Sequence, residues 1–320
     1  MSTNRIINLP AHPGGAPYHL PPDDDLITFR DTPPNPPDWV IEGLEAGDVG
    51  LLTAPGGVGK SMLCLSLAMA VASGQALFGQ WQVGAPGDVL YLYAEDSTRV
   101  MHRRFYALSH QNGITDPIIN RLHFICVRNN PPKIMIRGQQ GLVQPQNDVI
   151  HAILAEVQQY PRPRLIILDP MLKFHTLEEN ANNEMNQFLD LLGQLGEAVG
   201  AAILITHHTT KGKSTDTGDL STQEASRGAG AIVNEARWQA SLKPIGPKMI
   251  AKLGLDDDQG WRYLTLSIPK RNSTGRLSDI LLERGMEGIL MAVGGSSLAS
   301  PRTPDPHIEV EEEGIPVDYE

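Results

Sequence analysis

Short apolar runs alternate with longer stretches whose apolar positions recur every three or four residues. The first run, Val49-Gly50-Leu51-Leu52-Thr53, fits one buried strand. Further strands are predicted at Asp88–Tyr93, Leu122–Val127, Arg164–Asp169 and Ala201–Thr206. Between them the spacing predicts helices from Ser61 to Ser73, closed by Gly74, from Thr98 to His110, capped by Ser97, and from Asp148 to Gln159. The segment 182–199 carries Met185, Phe188, Leu189, Leu192 and Leu195 at helical spacing and reads as a core-facing helix. Residues 128–146, with Arg128, Lys133 and Arg137, read as a long loop, and 209–224 as a mobile one. Gln223–Ala236 reads as helical in part. Strands then return at Arg237–Leu242, Trp261–Ile268, 279–283 and 288–292. Alternating strands and helices predict an α/β fold with a mostly parallel sheet flanked by helices. The closely spaced late strands predict an antiparallel C-terminal extension. Ligands bind such sheets outside the carboxyl ends of the strands.

The flanks break this pattern. Residues 1–38 are rich in Pro, Gly and Asp and read as a flexible arm. A sharper alternative has the arm pack on a neighbouring subunit, with Trp39 and Val40 as its anchor. Residues 39–294 form the folded domain, and 295–320 turn to Ser, Pro and acid, predicting a disordered acidic tail. The net charge is −11, but Asp305–Glu320 holds seven acids and no Lys or Arg, leaving −4 on the other residues. The acidity therefore does not exclude a nucleic-acid partner, because the distribution of charge matters more than its total. Cys64 and Cys126, in a predicted helix and strand, read as two buried thiols of a reducing compartment. Met62–Ala72 is too short to cross a bilayer, and the N-terminus lacks an apolar signal core, so a soluble cytoplasmic protein with no membrane partner is expected.

The chemistry gathers where strands end. After the first strand comes Ala54-Pro55-Gly56-Gly57-Val58-Gly59-Lys60-Ser61, and then a helix, which is the setting of a Walker A loop. The run from Pro55 through Gly56, Gly57, Val58, Gly59, Lys60 and Ser61 to Met62 is the candidate nucleotide contact. Its glycines let backbone N–H groups wrap phosphates at a helix N-terminus. Lys60 can reach the β- and γ-phosphates of ATP, and the Ser61 hydroxyl can ligate Mg²⁺. Ala54 stands where the motif has its first Gly. Asp169, ending LIILD, has the Walker B pattern of a carboxylate that completes the Mg²⁺ shell. Glu95 follows the second strand and is a candidate base for the attacking water, with Asp96 the neighbouring alternative. His207 and His208 follow the next long strand. Side chains alternate along a strand, so one of them faces the nucleotide as a γ-phosphate sensor, and His208 is favoured. Lys211 and Lys213 follow at once and are candidate contacts to a DNA backbone. Arg227 and Arg237 are candidate arginine fingers, with Lys270 and Arg271 as further ones.

Taken together, Walker A, YLYAED, LIILDPMLKFH, ITHHTTKG, QEASRGAGAIVNEARW and IPKRNSTG resemble the RepA-type hexameric replicative helicases of broad-host-range plasmids, within the RecA/DnaB-like ATPases. The resemblance covers about residues 44–275. It implies a RecA-like P-loop core and a six-membered homo-oligomeric ring with ATP and Mg²⁺ at subunit interfaces. It also implies 5′-to-3′ movement on single-stranded DNA, with a primase or initiator protein as a further partner. Carried over, Lys60 and Ser61 match the phosphate and Mg²⁺ ligands, Glu95 the catalytic glutamate, Asp169 the Walker B acid and His208 the γ-phosphate histidine. Arg237 matches the finger, and Arg104 an arginine near the nucleotide; Arg227, the other finger candidate, is also a candidate DNA contact. The long N-terminal arm and the acidic tail depart from the family pattern. Two rival readings remain: a recombination or repair ATPase without unwinding activity, and an ATP-dependent regulatory assembly protein.

Overall fold

The computed structural model describes residues 22–209, 232, 236–256, 258–270 and 278–294. The chain divides into two units at Pro37/Asp38. In the first, α1 (Leu26–Asp31) is started by Asp25, whose carboxylate accepts from the Ile27 and Thr28 amides. None of its residues is buried.

The second unit runs β1 (Trp39–Ile41), β2 (Leu44–Glu45), β3 (Val49–Pro55), α2 (Lys60–Ser73), β4 (Asp88–Tyr93), α3 (Thr98–Asn112), α4 (Asp116–Ile119) and β5 (Leu122–Cys126). It continues through β6 (Met135–Arg137), β7 (Val143–Pro145), α5 (Asn147–Val157), β8 (Pro163–Asp169), α6 (Asn182–Val199) and β9 (Ala202–Thr209). Last come β10 (Trp238–Pro244), a short helix Pro247–Lys252, β11 (Tyr263–Lys270), β12 (Ile280–Arg284) and β13 (Leu290–Ala292).

Among the described residues one sheet has the order β13-β12-β11-β10-β3-β9-β8-β4-β5. From β10 to β5 every pairing is parallel, and β11, β12 and β13 add on antiparallel at the β10 edge. Covered on both faces, the central parallel strands need apolar residues at nearly every position. β4 is buried throughout, and β3 everywhere but Pro55. Alternation then sorts their side chains. Leu52, Tyr91, Ile167 and Leu204 join α2 and α3 on one face, while Leu51, Leu90, Ile166 and Ile203 join α5 and α6 on the other. The Met185, Phe188, Leu189, Leu192 and Leu195 stripe of α6 is buried there. α2 is apolar all round and is buried from Met62 to Ala72, as a central helix should be. At Gly196 a Cβ would stand 2.8 Å from the Ala201 carbonyl oxygen and 3.1 Å from that of Gly47, so only glycine lets α6 approach so closely.

The α/β fold with its antiparallel C-terminal extension is as the pattern predicts. Several details differ. Residues 128–146 are not all loop: β6 and β7 pair as an antiparallel hairpin. β9 runs on through both histidines to Thr209. Cys126 is exposed, since β5 is the sheet's edge strand and Cys126 is its last residue; Cys64 is buried. Val40 is fully buried in this chain's own core, so it is not an anchor on a neighbour. No described helix is long and apolar enough to cross a membrane. The predicted loop 209–224 beyond Thr209, most of the helix at 223–236, and the acidic tail lie outside the described residues.

Candidate nucleotide site at the carboxyl ends of the strands

β3 delivers the glycine-rich loop, and α2 starts directly after it at Lys60. Gly57 and Gly59 have φ of 77° and 110°, a region that disfavours any side chain. A Cβ at Gly56 or Gly57 would meet nothing within 4 Å, so the loop has open space in front of its backbone. Val58 turns inward and is buried. Lys60 is only 5% exposed. Burial pushes its amine below the usual lysine range, and the carboxylate of Asp169 is the main influence opposing this.

β9 pairs directly with β3, setting Ala54 opposite His208. That register brings the His208 ring over the start of α2. The Lys60 Nζ lies 3.1 Å from His208 Nε2, and the same nitrogen lies 3.3 and 3.4 Å from the two carboxylate oxygens of Glu95. Lys60, His208 and Glu95 therefore converge on one point. Asp96, the other acid of that strand end, turns away and pairs with Arg104 on α3. Ser97 caps α3 by accepting from the Val100 amide at 3.4 Å. His207, on the opposite face of β9, lies 3.5 Å from Glu179.

Asp169 ends β8 between β4 and β9, and both its neighbours grip it. Tyr91 donates its hydroxyl to Oδ2 at 2.7 Å and Thr206 donates to Oδ1 at 2.6 Å. All three residues are buried. Motif reading passes over Tyr91 and Thr206; their signal is a hydroxyl at a fully buried strand position, which needs a partner. Arg284 also escapes motif reading: from β12 its Nη2 donates to the Val58 carbonyl at 2.7 Å.

Other predicted residues are not at this cluster. The Arg237 amide donates to the carbonyl of Val49, at the amino end of β3. That is about 20 Å from the loop, at about 3.3 Å per strand residue. Arg237 is exposed there. Lys211, Lys213, Arg227 and Arg271 lie outside the described residues; Lys270 closes β11.

The residues fit a magnesium-bound nucleotide. The loop and the start of α2 offer glycine backbone with open space before it, a cation in Lys60 and a hydroxyl in Ser61, and the ends of β8 and β4 add the carboxylates of Asp169 and Glu95. When bound, Mg²⁺ supplies charge neutralisation at the phosphate oxygens. A family model for the AAA domain matches residues 16–214, from the arm through the loop, both acidic strand ends and the two histidines. The match spans more than half of the chain, and the chain belongs to that AAA-domain family of P-loop ATPases.

Proposed function

We propose that the chain is a ring-forming, ATP-dependent DNA helicase of the RepA type, serving plasmid or mobile-element replication. The observation that carries this reading is the meeting of Lys60, His208 and Glu95, with His208 on the strand that leads out of the site. Lys60 and the loop amides hold the phosphates. Ser61 and Asp169 hold Mg²⁺. Glu95 orients the attacking water and takes its proton. Arg104, on α3 and paired with Asp96, comes to the nucleotide's vicinity only through the family likeness, and Arg237 serves a neighbouring subunit's nucleotide, since its own loop lies at the far end of the sheet. Lys211, Lys213 and Arg227 contact the backbone of single-stranded DNA.

His208 has the chemistry of a sensor. One nitrogen cannot accept from Lys60 and donate to Glu95 at once. Bonded to Lys60, Nε2 must be bare; bonded to Glu95, it must carry hydrogen. When Lys60 turns to phosphate oxygens, Nε2 is free to take a proton from solvent, with or without loss of the one on Nδ1, and then donates to Glu95, so the ring reports the change along β9.

The test is ATP hydrolysis with and without single-stranded DNA, on material sized as monomer or ring. The expected result is hydrolysis by the ring, stimulated by DNA and accompanied by strand separation. Hydrolysis indifferent to DNA would point to a regulatory switch, and stimulation without strand separation to a recombination or repair ATPase.

A further inference from the structure

We infer that Arg284 is a positioning residue for the phosphate loop, which makes the antiparallel end of the sheet a part of the nucleotide site. The inference rests on the loop's holding a nucleotide. Arg284 closes β12, 226 residues from the carbonyl to which its Nη2 donates, that of Val58. Trp261 steadies the guanidinium, its ring centroid lying 5.9 Å from Cζ. Leu290 of β13 also reaches the loop: its methyl carbons lie 3.8 and 3.9 Å from where a Cβ on Gly59 would stand.

The Val58 carbonyl and the Gly59 N–H belong to one planar trans peptide, so they point in opposite directions. Fixing the carbonyl onto Arg284 fixes the Gly59 N–H away from it. The peptide needs fixing, because Gly59, on one side of it, places little restriction on its rotation. The Val58 side chain is buried, but burial alone does not set the plane of the following peptide. Arg284 does so with a charged donor. Its guanidinium charge also adds to the attraction for phosphate.

The test is steady-state ATP hydrolysis by the full chain carrying Arg284→Met, with thermal unfolding recorded in parallel. A hydrogen bond to a charged group supports an expected rise in KM of about tenfold, with a smaller loss in kcat. A rise of threefold or more at a parental thermal midpoint supports the assignment, and a smaller rise overturns it. Should Arg284→Met not fold, Arg284→Lys is judged by the same threshold, because lysine lacks the planar fork that Trp261 steadies. If neither variant folds, the residue is structural and the assignment falls. A parent that does not hydrolyse ATP overturns the nucleotide reading and the role of Arg284 with it. A hydrolysing parent with an unmoved variant KM overturns the role of Arg284 alone.

Discussion

Glu95 and Asp96 are adjacent acids with different partners, and the difference supports Glu95 as the proposed base. Asp96 is held by Arg104, while Glu95 faces His208. Glu95→Gln keeps the shape and removes the basicity, so kcat is expected to fall about 10²- to 10⁴-fold with nucleotide binding retained. Single-turnover hydrolysis beside filter binding measures both, and a parental rate would remove Glu95 from the mechanism. A second residue gives a pH prediction. Burial holds His175 down at about 4, Glu179 opposing and Lys133 and His207 adding to the effect. A histidine lowered in the folded state binds fewer protons there than in the unfolded chain between its two pKa values, so stability falls with pH through that window. Against an unfolded value of about 6.5, the loss between pH 7 and pH 5 is about 2 kcal/mol. Urea unfolding at the two pH values checks this, and His175→Phe should flatten the difference.

The elements differ in how plainly the amino-acid pattern announces them. α6 reads correctly over 182–199 because five apolar residues at helical spacing must all enter one core. The central strands read correctly because burial on both faces leaves few polar residues in them. β6 and β7 are three residues each, too short to show a period, and β6 is also held by Thr176 and His175, about 40 residues on in the chain. The Walker loop is legible because its chemistry is local. The Arg284 contact is not, because nothing near Arg284 signals a carbonyl 226 residues away. α6 supports a paired prediction. A Cβ at Gly193 meets nothing within 4 Å, whereas at Gly196 it meets two carbonyl oxygens. Gly193→Ala should therefore stabilise by up to about 1 kcal/mol through helix propensity. Gly196→Ala should destabilise by about 1–2 kcal/mol, the overpacking outweighing that gain. Opposite shifts in the urea midpoint are the expected result, and equal shifts would show that α6 has room to move.

At the scale of the molecule, the Walker loop and Arg237 lie at opposite ends of the same pair of neighbouring strands, β3 and β10. If Arg237 completes a neighbour's site, subunits with Arg237→Ala and subunits with Lys60→Ala should each be inactive alone. Mixed, they should regain activity at the interfaces that pair an intact loop with an intact arginine. No recovery at any mixing ratio would remove Arg237 from that role. The Arg284 contact has a consequence of another kind. The chain has four tryptophans. Trp81 and Trp238 are buried against each other, and Trp39 is partly buried in β1. Trp261 is 62% exposed and lies against the guanidinium that grips the phosphate loop. If the loop holds phosphate as proposed, the chain carries its own optical reporter beside it. Intrinsic fluorescence is then expected to change on nucleotide addition without any added label, and Trp261→Phe should abolish that change.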